Sequence, residues 1–167
     1  RSAAAEEAYV NQQALVLQAL TPDAAHQVIS GVTTYLASHP TTRFKSSLLD
    51  LVGNAWKVLN QPEAAFPYSQ DAFLAQENDP SNPNSTRSGA LYSLGLAAMY
   101  DVGDFPAARH YFEAFLREFP TDQKAYVVKL QLRKMDDKEA EFRASAAVPA
   151  TMPATTPAAM SASGGRQ

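Results

Sequence analysis

Residues 90–120 read ALYSLGLAAMYDVGDFPAARHYFEAFLREFP, and the reading of this stretch decides the fold. Gly103 and Asp104 form a tight turn between two runs of helical periodicity, which makes the segment an antiparallel helix pair. Tyr92, Met99, Phe105, Phe112, Phe115, Leu116 and Phe119 supply apolar stripes that neither helix buries alone. Gly95 and Ala108 are small enough to let the two backbones cross closely.

A second copy stands upstream, where Val52, Gly53, Asn54, Ala55 and Trp56 are followed by Ala64, Ala65, Ala72 and Phe73. Leu94 and Gly95, then Ala108, Phe112 and Pro120, resemble the tetratricopeptide repeat, whose first helix carries Leu-Gly and whose second carries Ala, an aromatic and a closing Pro. Gly53 and Ala65 stand twelve residues apart, as that resemblance requires, whereas Gly95 and Ala108 stand thirteen apart. The extra residue is placed at the end of the first helix, around residues 100–102. The copy period also exceeds the usual roughly 34 residues, and the excess falls in residues 78–85, NDPSNPNS, which has the composition of a loop.

The rest of the chain extends this pattern on both sides. Residues 3–20 suit an amphipathic helix through Ala8, Val10, Ala14, Leu15, Leu17 and Leu20. Thr21, Pro22 and Asp23 are an N-cap, a first-position proline and an acid at the positive end of the dipole, so a new helix runs from there to about Ser38. Its inward residues are Ala25, Val28, Ile29, Val32, Tyr35 and Leu36. Residues 43–60 and 63–76 form the next pair around a turn at Asn60, Gln61 and Pro62, with Pro67 expected among the first-turn N–H positions that have no helical partner. A last helix, from Asp122 to about Arg143, sets Ala125, Val128, Leu132, Met135 and Phe142 on one stripe and backs them with charge, as the end of a solenoid needs.

The expected fold is therefore all-α: a solenoid of antiparallel helix pairs, about seven helices over residues 1–143, followed by an irregular Pro/Ala-rich tail over 144–167. Pro149, Pro153 and Pro157 exclude a helix in that tail, and Val148, Met152 and Met160 are its candidate anchors for a partner protein.

Composition narrows the function. A net charge of −3 leaves no basic surplus for holding phosphates, which argues against nucleic acid. The chain has no cysteine, so it has no thiolate nucleophile and no Cys-based metal site, and its three histidines, His26, His39 and His110, lie far apart. No phosphate loop, serine elbow or HExxH stands in the sequence. The acid pairs Glu6-Glu7 and Asp136-Asp137 are sequence neighbours, which on a helix do not face each other, and read as solvated faces. No run reaches the roughly 20 apolar residues that cross a bilayer, so any membrane association goes through a partner. No cofactor, metal or catalytic role is implied, and the expectation is a non-catalytic protein-binding scaffold, an accessory subunit of a larger assembly. A self-assembling structural protein is the alternative and an enzyme the weaker rival.

The resemblance also implies where a partner binds, because the first helices of such repeats line the groove. Carried over position by position, these are Ser47, Asp50, Asn54 and Lys57 in the first copy, Gly89, Tyr92, Leu96 and Met99 in the second, and Lys124, Val127 and Gln131 in the last helix. Asn54, Lys57, Tyr92, Leu96, Met99 and Lys124 are the candidate protein-binding residues. Only Asn54 and Lys124 fit a clamp for a peptide's terminal carboxylate, and Asp50 would repel one. The spacing of Ala108, Phe112, Phe115, Leu116, Phe119 and Pro120 looks like repeats of bacterial cell-envelope members of the family, which implies a periplasm or envelope location, with cytoplasmic as the alternative.

Overall fold

Local capping chemistry sets where the helices begin. Ser2 accepts from the Ala5 N–H to start the first helix, and Thr21 accepts from the Ala24 N–H at 3.2 Å to start the second, with Pro22 in its first turn. The computed structural model describes residues 2–76 and 84–147. Among them are seven α-helices and no strand: α1 Ala3–Leu17, α2 Pro22–Ser38, α3 Lys45–Val58, α4 Pro62–Gln76, α5 Asn84–Leu96, α6 Phe105–Glu118 and α7 Ala125–Ala147. Between α5 and the turn at Gly103 the helix widens into a π-helical segment, Ala97–Val102. Each helix packs on the next along the chain, and α1 also touches α3, an arrangement consistent with a helical solenoid.

Two clusters of buried side chains hold the stack. Leu17, Val28, Val32, Tyr35, Leu48 and Val52 fill the space among α1, α2 and α3, where Tyr35 is sandwiched between the rings of Tyr9 and His39 at 4.3 and 4.2 Å. Phe66 and Phe73 of α4 join Leu91, Leu94, Phe112, Phe115, Val128 and Met135 in the second. Burial of an aromatic such as Phe112 or Phe115 contributes roughly 2–3 kcal/mol, so these rings dominate the second cluster. Leu116 and Phe119 pack half-buried against it.

The close crossing expected at Gly95 is present. A methyl group on Gly95 would meet the Phe112 ring at 2.4 to 2.9 Å, and Ala108, one turn earlier on α6, is fully buried. Gly53 in the first copy faces Ser69 Oγ at 3.2 Å and the Ala65 carbonyl at 3.5 Å. The turn out of the π segment closes through Gly103 in the left-handed conformation, with the Asp104 N–H donating to the Ala98 carbonyl at 2.8 Å. Asp104 then caps α6 by accepting from Ala107. Asn60 does the same work as Gly103 for the first copy, with φ of 56°.

Several expectations need correction. Leu15 and Leu20 are exposed, and α1 ends at Leu17, because Leu20 adopts φ of 52° and turns the chain toward α2; Gln13 and Leu17 take the buried places. Pro67 is the sixth residue of α4, past the free N–H positions, so it removes an interior hydrogen bond to the Glu63 carbonyl. The loop composition of 78–85 does not extend to its end: α5 begins at Asn84, drawn into helix by Arg87, which grips Glu118 with two hydrogen bonds at 2.6 and 3.0 Å, and by buried Ser88. Residues 78–83 lie outside the described residues. The last helix starts at Ala125 and runs four residues past Arg143, through Ala144, Ser145, Ala146 and Ala147, of which the three alanines favour helix. Phe142 is exposed because α7 outruns its neighbour: its 23 residues span roughly 34 Å against roughly 21 Å for the 14 of α6.

Candidate protein-binding face between α5 and α7

Two cross-helix contacts define a row of side chains between the second copy and the last helix. Lys124 Nζ lies 5.7 Å from the centre of the Tyr92 ring, and the Tyr100 hydroxyl donates to Gln131 Oε1 at 2.6 Å. Both contacts progress in the same direction along the two elements, so α5 with its π segment runs parallel to α7 on this face. Tyr92 and Tyr100 are eight residues apart while Lys124 and Gln131 are seven apart. The wide turn over Ala97–Val102 absorbs the difference.

That turn decides which side chain faces outward. In an uninterrupted α-helix, at about 100° per residue, Met99 would stand about 20° from Tyr92 and Tyr100 about 80° away. With one more residue taken up by the π segment, the order reverses: Met99 is 5% exposed and belongs to the core, whereas Tyr100 is 57% exposed. Met99 is therefore not a candidate for contact with a partner, and Tyr100 takes its place. Leu96, half-buried on the same helix, lies between the two tyrosines in sequence, and Gly89 has open space around it. The signal for Tyr100 was the thirteen-residue interval from Gly95 to Ala108, but spacing alone did not say which face it would reach.

The other predicted residues sit on α3. Asn54 and Lys57 are both exposed there, one and two turns past Asp50. Asp50 is exposed as well, yet the surrounding protein desolvates its carboxyl and raises its pKa above the ordinary aspartate range, with the Lys57 charge acting in the opposite sense. Among the described residues, no hydrogen bond or ring contact joins Asn54 or Lys57 to Tyr92 or Lys124. Trp56 is half-buried beside the first cluster with its indole Nε1 covered. Val148, Met152 and Met160 lie outside the described residues.

Ion pairs fix the scaffold around this face. Arg109 of α6 donates to Asp136 at 2.7 Å and to Glu139 at 3.2 Å, tying α7 down from its other side. The Arg87 guanidinium holds the Glu118 carboxyl below its usual range. Among the described residues no three His, Asp or Glu gather as a metal site, and no helix is long and apolar enough to cross a membrane. No protein-family model, curated protein or solved structure matches the chain.

Proposed function

We propose that this protein is a non-catalytic binding scaffold of the tetratricopeptide kind, and that the face between α5 and α7 receives a segment of a partner protein. The row formed by Lys124 on Tyr92 and Tyr100 on Gln131 is the observation that carries the reading. It presents two amphipathic rings from α5 and its π segment, a cation from the turn just before α7 and an amide from α7, and such rings supply contact area at little cost in side-chain freedom. Leu96 adds an apolar patch between them. On α3, Asp50 and Lys57 supply charges of both signs, so a partner segment with one basic and one acidic group suits this surface better than a free carboxylate terminus does. The acidic balance of the chain suits a protein partner over a nucleic acid.

Photo-cross-linking tests the assignment. A benzophenone side chain placed at Leu96 should join the protein to a discrete partner in its native source, and the adduct should disappear when Tyr100→Ala and Lys124→Glu are added. The same probe at Glu113, exposed on α6, serves as the control. Equal adducts from Leu96 and Glu113, or adducts indifferent to the two substitutions, would remove this face from consideration.

A further inference from the structure

The first and last helices of the stack differ in what they turn toward water. Charged side chains line the exposed side of α7, from Lys129 and Arg133 to Asp137 and Glu141, as the end of a solenoid needs. Nothing comparable covers α1. From Ser2 to Thr42 the chain holds Glu6, Glu7 and Asp23 and no Lys or Arg, and Glu6 is engaged by the Thr42 hydroxyl at 2.8 Å. The outer side of α1 therefore presents Ala4, Ala8, Asn11 and Leu15, at the alternating four- and three-residue spacing by which helices pair, with Glu7 and Gln18 at its edge. All six are exposed, Leu15 by 65%. Depletion of charge is what separates the core of an interface from open surface.

We infer that this face pairs with the same face of a second copy of the chain, α1 antiparallel to α1 about a twofold axis at Asn11. The chemistry of the stripe selects its own kind. Without a cation it offers nothing to an acidic peptide or an anionic headgroup, and Glu7 alone offers little to a basic one. A carboxamide, by contrast, both donates and accepts, so two copies of it complement each other across a twofold axis. Among the described residues the Asn11 and Gln18 side chains make no hydrogen bond that pairing would break. An axis at Asn11 sets the two Asn11 carboxamides against each other, each Ala8 near the partner's Leu15, and each Ala4 beside the partner's Gln18. A small residue thus meets a large one on both sides of the axis, which lets the stripes interdigitate. The two Glu7 carboxylates stand roughly 12 Å apart along the pair, beyond the Debye length of about 8 Å at physiological ionic strength, so their repulsion is screened. Contact through one helix is smaller than the roughly 1,200–2,000 Å² of a stable interface, and the pair therefore forms and dissociates with concentration. This surface is separate from the face between α5 and α7, and a failure here leaves that reading untouched.

Sedimentation velocity of the full chain over a wide range of concentration tests the pairing. The sedimentation coefficient should rise from that of a monomer to that of a dimer and stop there. Leu15→Glu, which brings a carboxylate into each half of the contact, should remain monomeric throughout with an unchanged thermal melt. Tyr126→Glu, at a residue 69% exposed on α7, should dimerise as the parent does. A parent that stays monomeric, a Leu15→Glu chain that dimerises equally, or a species that grows past the dimer into an open stack would each overturn the inference. Because the chain has no cysteine, a second measurement locates the axis without relying on Leu15→Glu. Under mild oxidation Asn11→Cys should yield a disulfide-linked dimer, whereas Asn54→Cys, exposed on α3, should not. Equal cross-linking at the two positions, or none at Asn11→Cys, overturns the inference as well.

Discussion

The pairs α3–α4 and α5–α6 are two versions of one unit, and their differences show how a single residue redirects a surface. Both cross at a glycine, Gly53 against Ala65 and Gly95 against the Phe112 ring. Both close through a left-handed residue, Asn60 in one and Gly103 in the other. The first sets its glycine and its alanine twelve positions apart, runs as plain α-helix and presents Asp50, Asn54 and Lys57. The second holds thirteen, spends the extra one in a π-helical turn and presents Tyr92, Leu96 and Tyr100. A polar stripe and an aromatic stripe thus arise from the same architecture.

The largest expected difference between the copies is at the crossing glycines. Gly95→Ala drives a methyl group into Phe112 and should cost about 1–3 kcal/mol, which at this chain length lowers Tm by roughly 2–4 °C per kcal/mol. Gly53→Ala is tight only against the movable Ser69 hydroxyl at 3.2 Å, with the Ala65 carbonyl at 3.5 Å in ordinary contact, and should change stability by less than about 1 kcal/mol, with helix propensity working in its favour. Equal losses in thermal denaturation would mean that the two crossings are not of different tightness.

Proline placement comes next. Pro67→Ala restores an interior hydrogen bond in α4 and should stabilise the protein by up to about 3 kcal/mol, while Pro106→Ala, in the first turn of α6, should be close to neutral. Urea denaturation of the two variants checks this, and a neutral Pro67→Ala would show that the α4 ladder has already adjusted around the ring.

Most of the architecture was legible because it rests on local rules. Thr21, Pro22 and Asp23 announced α2, and the spacing of Phe112 and Phe115 announced the core of α6. What sequence reasoning missed was set by distant parts of the chain. Nothing local to Phe142 says that α6 begins too late to cover it, and nothing local to Asn84 says that Arg87 will find Glu118. The site was half legible. Tyr92, Leu96 and Lys124 were placed on the candidate face from their positions, but the extra residue was put after Met99, around residues 100–102, whereas the π-helical segment begins at Ala97 and turns Met99 inward.

The turn-closing residues should differ by less. Asn60 holds φ of 56° with a side chain attached, so Asn60→Gly should raise stability by a few tenths to about 1 kcal/mol. Gly103→Ala should lower it by a similar amount, and chemical denaturation reads both.

The smallest effect is electrostatic and belongs to the first copy alone. The Asp50 pKa is raised in the folded state, so the folded protein binds that proton more tightly than the unfolded chain does. Stability from this source is complete below the unfolded carboxyl value, near 3.9, and is lost as pH rises through the higher folded value. Asp50→Asn should therefore stabilise the protein slightly at pH 7, with the gain fading as pH falls through the carboxyl range. A gain that grows toward acid pH would reverse the sign and place Asp50 in a favourable pair.

Peroxide oxidation of the methionines, followed by mass spectrometry, tests most directly whether the extra residue turns Met99 inward and Tyr100 outward. In the intact protein Met99 should resist oxidation as Met135, fully buried, does. Deleting exposed Asp101 gives the second copy the spacing of the first; Met99 should then oxidise readily while Met135 remains protected, which reports that the fold persists. Rapid oxidation of Met99 in the intact protein, or protection unchanged by the deletion with Met135 still protected, would contradict the role given to the π-helical turn.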